Sequence, residues 1–199
     1  MKKLDTQNFK CDEMRNLVYA INLSIDGCCD HRKVGGPDDS MLDFWINLVR
    51  DAGVLAYGRI TYELMVPYWP DIAKNHSGQD KGDIDFAEAF DSVDKIVFSQ
   101  SLNGVEDKRS RLVRTKPEDE ILKLKQQPGK YILLGGVALP SQLIALGLVD
   151  EYYFVVHPVI AGEGRRLMEG IPLQERLKLK LVDSKVFKSG SVALRYMKN

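Results

Sequence analysis

Apolar residues occur along this chain in short blocks, and the spacing within each block predicts its element. From Leu17 to Ile25 they are enriched and alternate as in a buried first strand, which Asp26-Gly27 ends. Cys28 to Asp39 holds Gly35-Gly36-Pro37 and several charges and reads as a loop, with Asp38-Asp39-Ser40 placed to cap the next helix. Between Met41 and Arg50 the residues Met41, Leu42, Trp45, Ile46, Leu48 and Val49 recur at helical spacing, so one face lies on a sheet. Val54 to Tyr57 reads as a core strand, and a helix beginning at Arg59 stops before Pro67. Tyr68 to Asp83 mixes Trp69-Pro70 with glycine, His76 and charges, making it the longest irregular region and a candidate substrate-side loop. Asp85 to Asp91 predicts a short helix.

Further along, Lys95 to Ser99 and Leu112 to Arg114 read as strands joined by the polar stretch Ser101 to Arg111. Glu118 to Gln126 is a charged surface helix ended by Pro128-Gly129. Tyr131 to Leu134 is a strand apolar on both faces, which favours a parallel position inside a sheet. Val137 to Gly147 forms a crossover helix in which Pro140 is tolerated in the first turn. Tyr152 to Ile160 is a long strand, and Lys178 to Phe187 pairs with Val192 to Met197 in a hairpin around Ser189-Gly190. Alternating β and α units followed by antiparallel strands predict an α/β fold with three α-β-α layers. Its sheet is mixed and mostly parallel, with a C-terminal antiparallel hairpin. Residues 1–14 read as a polar lead-in and 15–199 as one domain, a division that suits a chain of 199 residues.

Charge narrows the function. Lys plus Arg equals Asp plus Glu at 28 each, with no basic stripe interleaved with aromatics, so no nucleic-acid partner is expected. The start Met-Lys-Lys-Leu-Asp-Thr-Gln has no apolar leader and no window reaches the length of a membrane span, which predicts a soluble, cytoplasmic protein. Cys11, Cys28 and Cys29 fit a reducing compartment, and their spacing offers no metal site.

Two stretches carry candidate chemistry. Leu134-Gly135-Gly136 follows one apolar run, and Gly58-Arg59-Ile60-Thr61 follows another. In each a strand stops at glycine and a helical pattern begins, so free backbone N–H groups and a helix N-terminus converge where a phosphate could sit. Glycine also ends strands for turn geometry alone, and neither stretch is a G-x-G-x-x-G or a G-x-x-x-x-G-K-[ST] motif.

The ordered set of segments resembles the dihydrofolate reductase-like superfamily, and within it the branch related to the C-terminal reductase domain of riboflavin biosynthesis. The segments are Ser24-Ile25-Asp26-Gly27, Tyr57-Gly58-Arg59-Ile60-Thr61-Tyr62-Glu63, Val97-Phe98-Ser99-Gln100, Leu134-Gly135-Gly136, Leu148-Val149-Asp150-Glu151 and His157-Pro158-Val159-Ile160-Ala161-Gly162-Glu163-Gly164. The resemblance implies NADPH bound across the sheet and hydride passed to a small heterocyclic, pyrimidine-like, pterin-like or riboflavin-pathway-like substrate. It places Gly58, Arg59 and Thr61 at the adenosine phosphates, with Arg59 suited to the 2′-phosphate through its rigid donor fork. Ser99 and Gln100 fall beside the adenosine ribose, and Gly135, Gly136 and Val137 under the pyrophosphate. Asn22 and Ser24 face the nicotinamide.

By the same resemblance a carboxylate on the first helix protonates the substrate, and Asp43 stands at about that position. A carboxylate in an apolar pocket can be held protonated, whereas an exposed first-turn Asp serves the helix dipole, and both readings suit Asp43. Asp26, His31, Trp45 and Tyr62 are the candidate substrate-pocket residues; His157-Pro158 reads as a turn-shaping element. No H-x-E with P-C-x-x-C is present, so no deaminase activity is expected. A non-catalytic nucleotide-binding protein of the same fold is the alternative, and the C-terminal strands offer a route to a homodimer.

Overall fold

The central strands are short and apolar on successive residues, and because neighbouring side chains point to opposite faces they build two cores, one on each side of a single sheet. The computed structural model describes residues 14–199, so most of the expected lead-in lies outside the described residues. Eight strands are present among the described residues: β1 (Leu17–Ser24), β2 (Val54–Gly58), β3 (Lys95–Phe98), β4 (Ser110–Val113), β5 (Ile132–Leu134), β6 (Glu151–His157), β7 (Leu179–Val186) and β8 (Val192–Lys198). They are ordered β4-β3-β2-β5-β1-β6-β8-β7. The pairs from β4 through β6 are parallel, and β8 runs antiparallel to both β6 and β7. This is the mixed, mostly parallel sheet with a C-terminal hairpin that the sequence predicts.

Seven helices among the described residues connect them: α1 (His31–Val34), α2 (Asp39–Arg50), α3 (Arg59–Met65), α4 (Trp69–Lys74), α5 (Lys81–Ser92), α6 (Pro117–Lys125) and α7 (Ala138–Ala145). Leu17, Tyr19, Ala56, Ile132 and Leu134 point to the α6 and α7 side. Their sequence neighbours Val18, Ala20, Leu55, Tyr57 and Leu133 point to the α2, α3 and α5 side. An ion pair with a fully buried lysine closes the edge of this second core, with Lys95 Nζ 3.3 Å from the partly buried Asp107 and 4.8 Å from the Phe90 ring centroid. No helix among the described residues is long and apolar enough to cross a membrane.

Four segments differ from the sequence expectation. Tyr68 to Asp83 is mostly helical, because Pro70 sits in the first turn of α4, where its missing N–H costs nothing. The following helix starts at Lys81, earlier than Asp85, because the Asp80 carboxylate caps the Asp83 N–H at 2.9 Å. The stretch after Cys28 contains the single turn α1, which Asp30 caps. β6 ends at His157 because Pro158 has no N–H to continue a ladder, leaving Val159 and Ile160 exposed.

Candidate functional site

Parallel strands bring their C-terminal ends to one edge, and there the residues after β3, β2, β5, β1 and β6 line one cavity of about 1140 Å³. Gly58, Arg59, Thr61, Ser99, Gln100, Gly135, Gly136 and Val137 all lie on its wall, so the two glycine turns share a groove. They also touch. Gly136 adopts φ +89°, and a Cβ there would collide with Thr61 Oγ1 in the first turn of α3. A Cβ on Gly135 would stand 2.6 Å from Tyr57 Cε1. At Gly58 a Cβ would meet only ordinary contact, so close approach requires glycine at 135 and 136 and not at 58.

Helix ends add to this corner. Asp30, Asp38 and Asp80 cap α1, α2 and α5 with their side chains. The N-termini of α3, α6 and α7 have no side-chain cap, and residues at each of them, including Thr115 and Pro117 at α6, line the cavity. Their first-turn N–H groups give the corner a positive potential suited to anions. The Gly135 N–H is not free, since it donates to Ala56 O at 3.2 Å. The buried Tyr19 hydroxyl donates to Gly136 O at 2.9 Å and pins the turn to β1; burial raises its pKa far above the ordinary tyrosine value. Arg59 reaches the mouth, where it pairs with Glu63 at 2.8 Å. Ser99 Oγ accepts from the Leu102 N–H at 3.0 Å and Gln100 Nε2 donates to Arg114 O, so both shape the turn after β3 as well as the wall.

The other end of the cavity is apolar. Leu42, Trp45 and Val49 of α2 face Leu64 and Met65 of α3, with Trp69 and Phe86 behind them. Trp45 Nε1 is buried without a hydrogen-bond partner. At the sheet edge Asn22 Oδ1 lies 3.0 Å from His157 Nε2, and burial of that imidazole lowers its pKa. Cys29 also lines the wall, with its thiol pushed up to about 11 by burial, so it stays protonated at neutral pH.

Four expected site residues fall elsewhere. Asp43 is on the exposed face of α2 and does not line the cavity, since the apolar positions of that helix take the inner face. Tyr62 packs inside the core between α2, α3 and α5. Ser24 is buried, accepting from the Cys28 N–H at 2.8 Å and donating to Asp26. Asp26 accepts from the Ala161 and Gly162 N–H groups, both at 2.9 Å; the Ser24 hydroxyl and these amides hold its carboxyl well below the usual range. It is a clamp between two loops. His31 does line the rim, exposed beside Asp30. Sequence reasoning reads His157 only as a turn residue and places Trp69 on a substrate-side loop, without singling out Leu64, Met65 or Phe86. The period-two spacing from Val155 is the signal that puts His157 on the cavity side.

Comparison with known proteins gives a consistent picture. Residues 15–193 match the family described as RibD C-terminal domain. The uncharacterized protein YyaP of Bacillus subtilis (strain 168) is 31% identical over 198 residues, covering 96% of this chain and 97% of that protein. A diaminohydroxyphosphoribosylaminopyrimidine deaminase/5-amino-6-(5-phosphoribosylamino)uracil reductase from Thermotoga maritima superposes with a TM-score of 0.66 at 16% identity, over 94% of this chain and 57% of that one. Dihydrofolate reductase from Enterococcus faecalis, complexed with NADP(H), gives a TM-score of 0.61 at 14% identity, over 92% of this chain and 96% of that one. The fold is therefore dihydrofolate reductase-like.

Proposed function

The chain belongs to the RibD C-terminal domain family, and from that premise we propose an NADPH-dependent reductase that passes hydride to a small planar heterocycle. The observation carrying this reading is the continuity of one cavity from the glycine turns to the apolar pocket beneath α2. A dinucleotide needs the first and a ring substrate the second. The residues fit the cofactor, because uncapped helix N-termini surround the turn at Gly135 and Gly136 on the cavity wall.

In this reading Gly135, Gly136 and Val137 hold the pyrophosphate, Arg59 leaves Glu63 for the 2′-phosphate, and Thr61 supports the adenosine phosphates. Ser99 and Gln100 flank the adenosine ribose, and the end of β1 at Asn22 faces the nicotinamide. NADPH supplies the hydride when bound; the chain contributes orientation and a dry pocket. Val186, 72% exposed on the edge strand β7, supports a homodimer through the C-terminal strands.

Thermal unfolding with NADPH, with NADH and without ligand tests the reading. NADPH at about 100 times its Kd adds about 2.7 kcal/mol of stability. No shift at millimolar NADPH overturns it. The exposed position of Asp43 favours one other reading, a nucleotide-binding protein without catalysis. Binding of NADPH with no oxidation by any pteridine, pyrimidine or ribityl compound would favour that protein over the reductase.

A further inference from the structure

A second cavity, of about 380 Å³, opens at the opposite edge of the sheet, where β2, β3 and β4 begin. It shares no lining residue with the first. Its floor is apolar, made by Val54, Ile96 and Leu124 of the core on the α6 side. Its rim is cationic, because Arg15, Lys108, Arg109 and Arg111 line it against one carboxylate, Asp94. Lys95 lines it as well, but its ammonium is taken by Val93 O at 3.0 Å and Asp107 at 3.3 Å. Arg111 stands opposite Ile96 in the register of β4 on β3, so its side chain shares the α6 face.

These cations are only partly satisfied. Arg109 gives one N–H to Asp94 at 3.2 Å and Arg111 one to Glu120 at 2.5 Å, and each keeps the rest of its donor fork. Lys108 is exposed and has no ion pair among the described residues. Arg15 has least of all: its Nε–H donates to Lys130 O at 2.6 Å, and its other four N–H bonds have no acceptor among the described residues. It is half-buried, and loss of solvent lowers its pKa. The fold makes room for it, since a Cβ on Gly53 would stand 2.6 Å from Arg15 Nη2 and 2.9 Å from Lys130 O. A partly desolvated cation without a carboxylate costs free energy that a bound anion offsets.

We propose that this cleft is a second ligand site, which takes the phosphate of a compact phosphomonoester between Arg15, Arg109 and Arg111 and lays its organic part on Val54, Ile96 and Leu124. A phosphomonoester carries close to two charges at neutral pH and three acceptor oxygens, which suit donor forks arriving from separate segments; a carboxylate offers less of both. The occupant ties the segment before β1 to the starts of β2 and β4, so it stabilises the folded chain. The site is independent of the reductase reading, because it lies at the other ends of the strands.

Phosphorus NMR titration of the full chain, with sodium chloride holding ionic strength constant, tests the proposal. Phenyl phosphate binds about fivefold more tightly than inorganic phosphate, through the apolar floor. Benzoate displaces it on the order of tenfold less well. Arg15→Gln weakens phenyl phosphate about tenfold and leaves the stability of the free protein unchanged or higher, whereas Lys108→Gln weakens it about threefold. Arg59→Gln, at the other cavity, leaves it unchanged. No binding of phenyl phosphate at millimolar concentration overturns the proposal. Binding that Arg59→Gln abolishes and Arg15→Gln spares also overturns it, since the anion then sits at the glycine turns. Benzoate equal to phenyl phosphate removes the phosphate, and inorganic phosphate equal to it removes the apolar floor. Should Arg15→Gln fail to fold, an unchanged affinity in Lys108→Gln decides against the site.

Discussion

The two ends of the cavity are made from different materials. Around Gly136 the wall is backbone: a glycine at φ +89° against Thr61 and the bare N-termini of α3, α6 and α7. Beneath α2 it is side chain: Trp45, Leu42 and Val49 facing Leu64, Met65 and Trp69, with Asn22 and His157 as the polar pair on the floor. A backbone site binds a constant group such as phosphate through geometry that any change of side chain tends to spoil. A side-chain site can be rewritten residue by residue while the sheet stays as it is. In the proposed reductase the first end takes the cofactor and the second the ring substrate.

Substitutions at each end separate the two. Gly136→Ala has the largest expected effect, because positive φ and collision with Thr61 together cost about 2–4 kcal/mol. Urea unfolding reads this loss, and the NADPH-dependent shift should disappear while quenching of Trp45 and Trp69 emission by a heterocyclic ring survives in whatever protein remains folded. Arg59→Ala comes next, with about tenfold weaker NADPH binding and unchanged NADH binding by titration. Equal losses for both nucleotides would remove the 2′-phosphate from the backbone-built end.

At the other end Trp45→Phe deletes a buried N–H that has no partner in the free protein. It should leave stability unchanged or raise it by about 1 kcal/mol in urea unfolding and leave NADPH binding intact. The smallest effect concerns pH. Burial lowers the pKa of His157, so below the ordinary histidine range the unfolded chain binds a proton that the folded one refuses. The contribution of His157 to stability is complete above about pH 6.5 and declines as pH falls through that value. His157→Gln should flatten the slope of unfolding free energy between about pH 7.5 and 5.5. Asp26 and Asp38, whose carboxyls are held low chiefly by serine hydroxyls, act only under more acid conditions.

The same contrast decides what the sequence discloses. The glycine corner is legible because each half is local: a run of apolar residues, a glycine and a helix start within a few positions. Gly58 to Thr61 and Gly135 to Val137 accordingly fall on one wall. The apolar end depends on which face of a helix turns inward and on pairing between distant strands. Asp43 stands near the right place in sequence, but α2 turns Met41, Ile46, Leu48 and Val49 into the protein and leaves Asp43 outside. Tyr62 goes into the core for the same reason of helical phase. His157 reads as a turn residue until the register of β6 on β1 is known, because only that pairing brings it to Asn22. Strand order shows a similar division: the hairpin of β7 and β8 follows from adjacent segments, while the insertion of β5 between β2 and β1 has no local signal.

That insertion also constrains how the molecule is assembled during translation. β1 leaves the ribosome first and becomes the middle of the sheet, yet its neighbours are β5 and β6; Tyr19 waits for Gly136, 117 residues later. At about 5–20 residues per second this interval is on the order of ten seconds. For that time the nascent chain carries an apolar ribbon with both ladders open, a natural client for chaperones and a sensitive place for slow codons.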